Sequence, residues 1–128
     1  MLAHARSHAA LPAADLDRAR HFYEDVLGLT PDDERSGGVL YATAGGSRFL
    51  VFPSSGQPSG THTQMGFQVA DIEAEVADLK RRGVTFEAYD MPGFDAATSI
   101  ATFPGGRSAW FKDTEGNLLG VAELPGEG

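Results

Sequence analysis

The side chains able to do chemistry in this 128-residue chain are few, and their types exclude several reactions at once. Cysteine is absent, so disulfides and thiolate chemistry drop out. Of the four histidines, His4 and His21 have no partner visible in the sequence and are assigned no role. His8 and His62 lie in two stretches that follow one pattern, and His62 shares an alternating face with Gln64. Such side chains can exchange hydrogen bonds with a ligand or simply satisfy the fold. Trp110, the single tryptophan, suits a flat or cationic ligand through stacking or cation–π attraction, and reads equally as an ordinary core aromatic. Phe111 follows it directly, so one of the two packs beneath a helix while the other looks away. The sequence does not say which.

These residues are carried by one motif written twice. Ser7 to Gly28 and Gly60 to Gly83 each open with alternating residues, reach a small residue followed by aspartate, run into an amphipathic helix and stop at glycine. Asp71 follows Asp15 by 56 positions, which sets the module length. In the openings, Ala9, Leu11 and Ala13 match Met65, Phe67 and Val69 as the apolar face, and His8, Ala10 and Pro12 match Gln64, Gly66 and Gln68 as the other. Each aspartate can cap its helix and faces the positive end of the helix dipole. Leu16, Ala19, Phe22, Tyr23, Val26 and Leu27 form the first apolar stripe, and Ile72, Val76 and Leu79 the second. Both stripes must cover a sheet.

After each helix the chain turns to strands. GVLYATAG and SRFLVFP, joined at Gly45-Gly46, read as a hairpin. VTFEAYD, then SAWFKD and NLLGVAEL joined across Thr114-Glu115-Gly116, supply the second set. The order is strand, helix, three strands, twice. The expected organisation is one α+β domain over 1–128, with module one at about 5–53, a linker at 54–60 and module two at about 61–124. A half-length module would bury too little apolar surface alone, so the two are expected to share a core. Residues 91–107 are long for a plain connection and read either as a flap carrying Met91, Phe94 and Phe103 or as a variable surface excursion.

Ten basic against 18 acidic residues give a net charge of −8, which makes nucleic acid a poor partner. Apolar content of 41% describes a globular chain, and no run is long enough for a membrane span or a signal peptide, leaving the cytoplasm as the default.

ADLDRARHFYEDVLGL, followed near the C-terminus by AWFKDTEGNLLGVAEL, resembles the vicinal oxygen chelate superfamily, the group of glyoxalase I, bleomycin resistance proteins and extradiol dioxygenases. The resemblance covers nearly the whole chain. It implies paired βαβββ modules whose mixed sheets curl around a cavity, in a homodimer. In metal-using members, the opening and last strands of each module supply ligands. By this resemblance the opening positions are His8 and Gln64, and the closing positions are Val51 and Gly120, where a glutamate is usual.

Neither closing residue can coordinate an ion, and Glu123, three positions past Gly120, points to the opposite face of a regular strand. Two function classes follow. In the first, the chain encloses an aromatic or cationic small molecule as bleomycin resistance proteins do, with no cofactor, in a pocket built from His8, Phe49, Val51, His62, Gln64, Phe94, Trp110, Leu118 and Gly120. In the second it is a lyase, isomerase or dioxygenase using zinc, nickel, manganese or iron held by His8, Gln64 and His62, with His8 as the candidate catalytic residue. Whether the chain is an enzyme stays open at this level.

Overall fold

A computed structural model describes residues 1–35 and 37–124. The chain divides into two compact units, Met1–Gln57 and Pro58–Gly128. Among the described residues, no helix is long and apolar enough to cross a membrane.

In the first unit, strand β1 (Ala9–Ala13) leads into helix α1 (Leu16–Arg20), which continues as a π-helical turn over His21–Val26. Asp15 caps α1, its Oδ1 accepting the Arg18 N–H at 3.1 Å. The widened turn narrows the angle between successive side chains and keeps the adjacent rings of Phe22 and Tyr23 buried together. Gly28, at φ 75°, then turns the chain out of the helix. Strands β2 (Pro31–Arg35), β3 (Gly38–Ala42) and β4 (Arg48–Pro53) follow, giving the sheet order β1-β4-β3-β2 with β1 and β4 parallel. The hairpin expected at Gly45-Gly46 joins β3 to β4. The third strand, not located in the sequence, is PDDER, an acidic segment with a proline that suits a sheet edge.

The alternation decides the core. Leu11, Ala13, Phe49 and Val51 point to the helix-covered face, where Tyr23 lies 5.6 Å from both Tyr41 and Phe49. Such ring pairs add about 0.5–1.5 kcal/mol each beyond the area they bury. At the rim of this core Tyr41 donates its hydroxyl to Glu24 at 2.9 Å, and Arg20 donates to Glu24 at 2.7 Å and to Glu34 at 2.6 Å.

In the second unit, β5 (Met65–Gln68) precedes α2 (Ile72–Arg81), capped by Asp71 Oδ1 on the Ala74 N–H at 3.1 Å. Strands β6 (Phe94–Asp95), β7 (Ile100–Phe103), β8 (Gly106–Lys112) and β9 (Leu118–Glu123) complete a sheet of order β5-β9-β8-β7-β6, with β5 and β9 parallel. The fold class is thus α+β with the βαβββ plan twice, the second copy adding the two-residue β6.

The structure departs from the sequence reading in two places. VTFEAYD forms no strand: it makes a single bridge, Phe86 to Phe111, and the Glu87 N–H donates to the Trp110 carbonyl at 2.7 Å. The 91–107 segment is not an irregular excursion, because it contains β6 and β7. Both effects have one cause: β7 pairs with Gly106 to Ser108, so only the far end of the β8 edge is left to VTFEAYD.

The Arg20 guanidinium, through its hydrogen bond, holds the Glu24 carboxyl below the usual carboxylate range, with Tyr41 adding to the effect against the cost of burial. Burial first, then the Glu24 hydrogen bond, keeps the Tyr41 phenol protonated. A carboxylate with a lowered folded value contributes stability at neutral pH that disappears as pH falls through that value. Glu24→Gln is therefore expected to lower stability by about 1–2 kcal/mol at pH 7. In urea unfolding repeated at decreasing pH, the gap between wild type and variant should close on the acid side; a gap independent of pH contradicts the assignment.

Candidate functional site

The register of each parallel pair fixes which residues share the uncovered face of its sheet. In the second unit Gly66 lies opposite Gly120 on β9, and Gly120 lies opposite Trp110 on β8. Phe111, 1% exposed and 5.4 Å from Phe86, points to the helix-covered side, so Trp110 takes the other. That settles the choice the sequence leaves open.

Around Trp110 the uncovered face is aromatic. Its indole N–H donates to Thr63 Oγ1 at 3.0 Å, which fixes the ring plane. Tyr89 meets it edge-on at 5.4 Å, Phe103 stands 6.3 Å away, and Phe94 packs 6.2 Å from Tyr89. Burial, with the Glu87 charge second, raises the Tyr89 phenol, so this hydroxyl is neutral at physiological pH. Gly120 forms the floor: a Cβ there would lie 3.3 Å from the Thr63 methyl and 3.4 Å from the indole Cδ1 and Nε1. The bare backbone leaves the indole and the Thr63 methyl room to close over this strand.

Gln64 shares this face but is not free for a ligand. Its Nε2 donates to Asn117 Oδ1 at 2.9 Å and its Oε1 accepts the Leu118 N–H at 3.3 Å. Asn117, fully buried, donates in turn to Asp113 Oδ2 at 2.8 Å, and Asp113 Oδ1 accepts the N–H groups of Glu115 and Asn117. The amide read as a pocket group thus clamps the β8–β9 turn. Leu118 is buried at 3% exposure beside it. His62 is exposed, its Nδ1 3.2 Å from Ser59 Oγ. Glu123 lies on the helix side, where its Oε2 accepts the Ile72 N–H at 2.9 Å and its Oε1 accepts from Arg107 at 2.8 Å. Arg107 foremost, then that N–H, holds it below the usual carboxylate range.

In the first unit, His8 is exposed and lines a cavity of about 570 Å³ together with Arg6, Ser7, Leu40, Arg48 and the Gly45–Ser47 turn. Phe49 and Val51, read as pocket wall, are instead core, at 3% and 0% exposure on the helix-covered face. The residues of β4 on the His8 face are Arg48, Leu50 and Phe52, since Ala10 lies opposite Leu50. Leu50 stands to Ala10 as Gly120 stands to Gly66. The closing position in this module is therefore Leu50 rather than Val51, one residue away and equally without a donor atom.

The divalent ion that the fold suggests can be tested against these side chains. The two closing positions offer no donor, the Gln64 amide is engaged at both ends, and among the described residues no three His, Cys, Asp or Glu side chains are grouped to hold an ion. The residues do not fit a metal centre. Tyr89 and Thr63 were missed in the sequence because the break in VTFEAYD hides which face Tyr89 takes. The Trp110 face could have been found by counting outward from the Asp113–Asn117 turn, which pairs Trp110 with Gly120.

Comparison with known proteins agrees with this architecture. No curated protein matches the sequence significantly. Among solved structures, TnmS3, an antibiotic binding protein from Streptomyces sp. CB03234, superposes with a TM-score of 0.70 at 23% identity, over 94% of this chain and 98% of that one. Lactoylglutathione lyase from Agrobacterium tumefaciens gives 0.63 at 26% identity, over 94% and 93%. The fosfomycin resistance protein FosX from Listeria monocytogenes gives 0.66 at 19% identity, over 92% and 91%. The glyoxalase/bleomycin resistance protein/dioxygenase superfamily profile matches residues 5–121, and the chain belongs to that superfamily.

Proposed function

We propose that this protein binds a small organic molecule bearing an aromatic or cationic group, and does so by shape and ring contact rather than by metal chemistry. The observation that carries this reading is the position of Trp110. Its indole lies against Gly120, the place where metal-using relatives present a carboxylate, and Thr63 holds it there. Tyr89 and Phe103 stand roughly perpendicular to it, leaving a ring face on which a flat group can stack or a cation can sit. The net charge of −8 favours a cationic ligand over long range. Likeness to an antibiotic binding protein supports the same class of function. The lactoylglutathione lyase neighbour favours an enzyme, but the lack of a grouped donor set among the described residues weighs against a metal-dependent one.

Because Trp110 is the single tryptophan, its fluorescence reports on the proposed face directly. Titration with a panel of aromatic and cationic antibiotics should give saturable quenching by at least one compound. Trp110→Ala should weaken binding of that compound by about tenfold or more, followed by calorimetry, as loss of one stacked ring implies. Gly120→Ala should shift Trp110 emission and reduce the quenching, because the added methyl crowds Thr63 at 3.3 Å, the residue that holds the indole. No saturable response across the panel would sink the reading.

Elemental analysis of untagged protein dialysed against zinc, nickel, manganese or ferrous iron is expected to find no stoichiometric ion, with His8→Ala leaving the content unchanged. One tightly held ion per chain, lost in His8→Ala, would establish the metal-dependent alternative instead.

A further inference from the structure

The first unit carries a second feature that the aromatic reading does not use. β1 and β4 run parallel with Ala9 opposite Phe49, so the residues just before β1 lie beside those that open β4. Arg6, Ser7 and His8 are thereby brought to the same cavity as Ser47 and Arg48, with the Gly45-Gly46 turn as a further wall. The lining holds two arginines and no carboxylate, in a chain with 18 acidic and ten basic residues.

We propose that this cavity is a binding site for an oxyanion, the carboxylate, phosphate or phosphonate group of a small organic molecule. Arg48 is only partly used by the fold: one Nη donates to Asp32 at 2.9 Å, while its Nε is buried without a partner. A buried donor left unpaired is costly, and a small rotation of the guanidinium onto an arriving oxygen recovers the bond. Among the described residues Arg6 has no carboxylate partner and is exposed, so its fork is available to an oxyanion. The Ser7 and Ser47 hydroxyls line the same space and can donate to remaining oxygens. Gly45 and Gly46 have φ values of 70° and 80° and nothing within 4 Å of where a Cβ would stand, so a ligand can come up to the backbone itself. A volume of about 570 Å³ exceeds what a bare ion needs and leaves room for the organic body that carries it. A cation is disfavoured by the two guanidiniums. The site lies wholly within one unit and stands whether or not Trp110 binds a ligand.

The test is amide chemical-shift titration of the isotopically labelled full-length protein with inorganic phosphate and, separately, with acetate, each against sodium chloride at matched ionic strength. Saturable shifts at Gly45, Gly46 and Ser47 are expected with at least one of them; response to phosphate alone or acetate alone assigns the oxyanion class. Arg48→Gln should raise the dissociation constant about tenfold or more, as loss of a charge-assisted hydrogen bond implies. Arg48 also pairs with Asp32, so Arg6→Gln, outside every helix and strand, provides a second variant, expected to weaken binding several-fold while thermal unfolding stays unchanged. Absence of saturable shifts beyond those of chloride, or equal affinity in wild type and Arg6→Gln, overturns the proposal.

Discussion

Each module joins its first strand to its last in parallel, and this pairing decides which residues of those strands enter the core and which face away from it. With a side-chain period of two, a given register puts one set of residues beneath the helix and the other on the uncovered face, and a slip of one residue would exchange them. In the first unit the register seats Leu11 and Val51 in the core and leaves His8, Ala10 and Leu50 outside it. In the second it seats Phe67 opposite Val121 and leaves Gly66 and Gly120 on the other side. Parallel pairing also brings strand starts together, which is why Arg6 and Arg48, far apart in sequence, line one cavity.

What could be read from the amino-acid order follows the range of the interaction involved. Asp15 and Asp71 cap their helices because the capping bond spans three residues and depends on little else. The turns at Gly45-Gly46 and Gly116 were legible for the same reason, since positive φ favours glycine. Strand β2 escaped notice because PDDER has no apolar alternation; an edge strand need not have any. VTFEAYD has strong alternation and still forms only a bridge, because another segment occupies part of the edge it would need. The difference between Val51 and Leu50 is likewise non-local: it depends on which residue of β1 faces β4, and no tight turn ties those strands together to reveal it.

The site was legible in the same uneven way. The family resemblance marks Gly120 as a place where a glutamate is usual, and the residue type there leaves no donor atom. What the sequence does not disclose is that Trp110 and Thr63 lie beside it. Gln64 shows the reverse: its type and place suggested a ligand-facing amide, whereas its partners Asn117 and Leu118 lie more than fifty positions away and commit both ends of the amide to the β8–β9 turn. An amide with four hydrogen-bonding sites is a good clamp for a buried asparagine, and a group so engaged is costly to redirect.

The glycine at 120 and the tryptophan at 110 are best understood as one choice. A Cβ at 120 would stand 3.3 Å from the Thr63 methyl, a tight contact, and 3.4 Å from the indole, an ordinary one, so a side chain there meets Thr63 first and the ring beside it. The hydrogen bond from the indole to Thr63 holds this arrangement, because it orients the ring plane and satisfies the one polar atom that the ring brings with it. A carboxylate placed at 120 alone would stand beside the Thr63 methyl and the indole with no cation to pair it, and an unpaired charge on a buried strand position is costly.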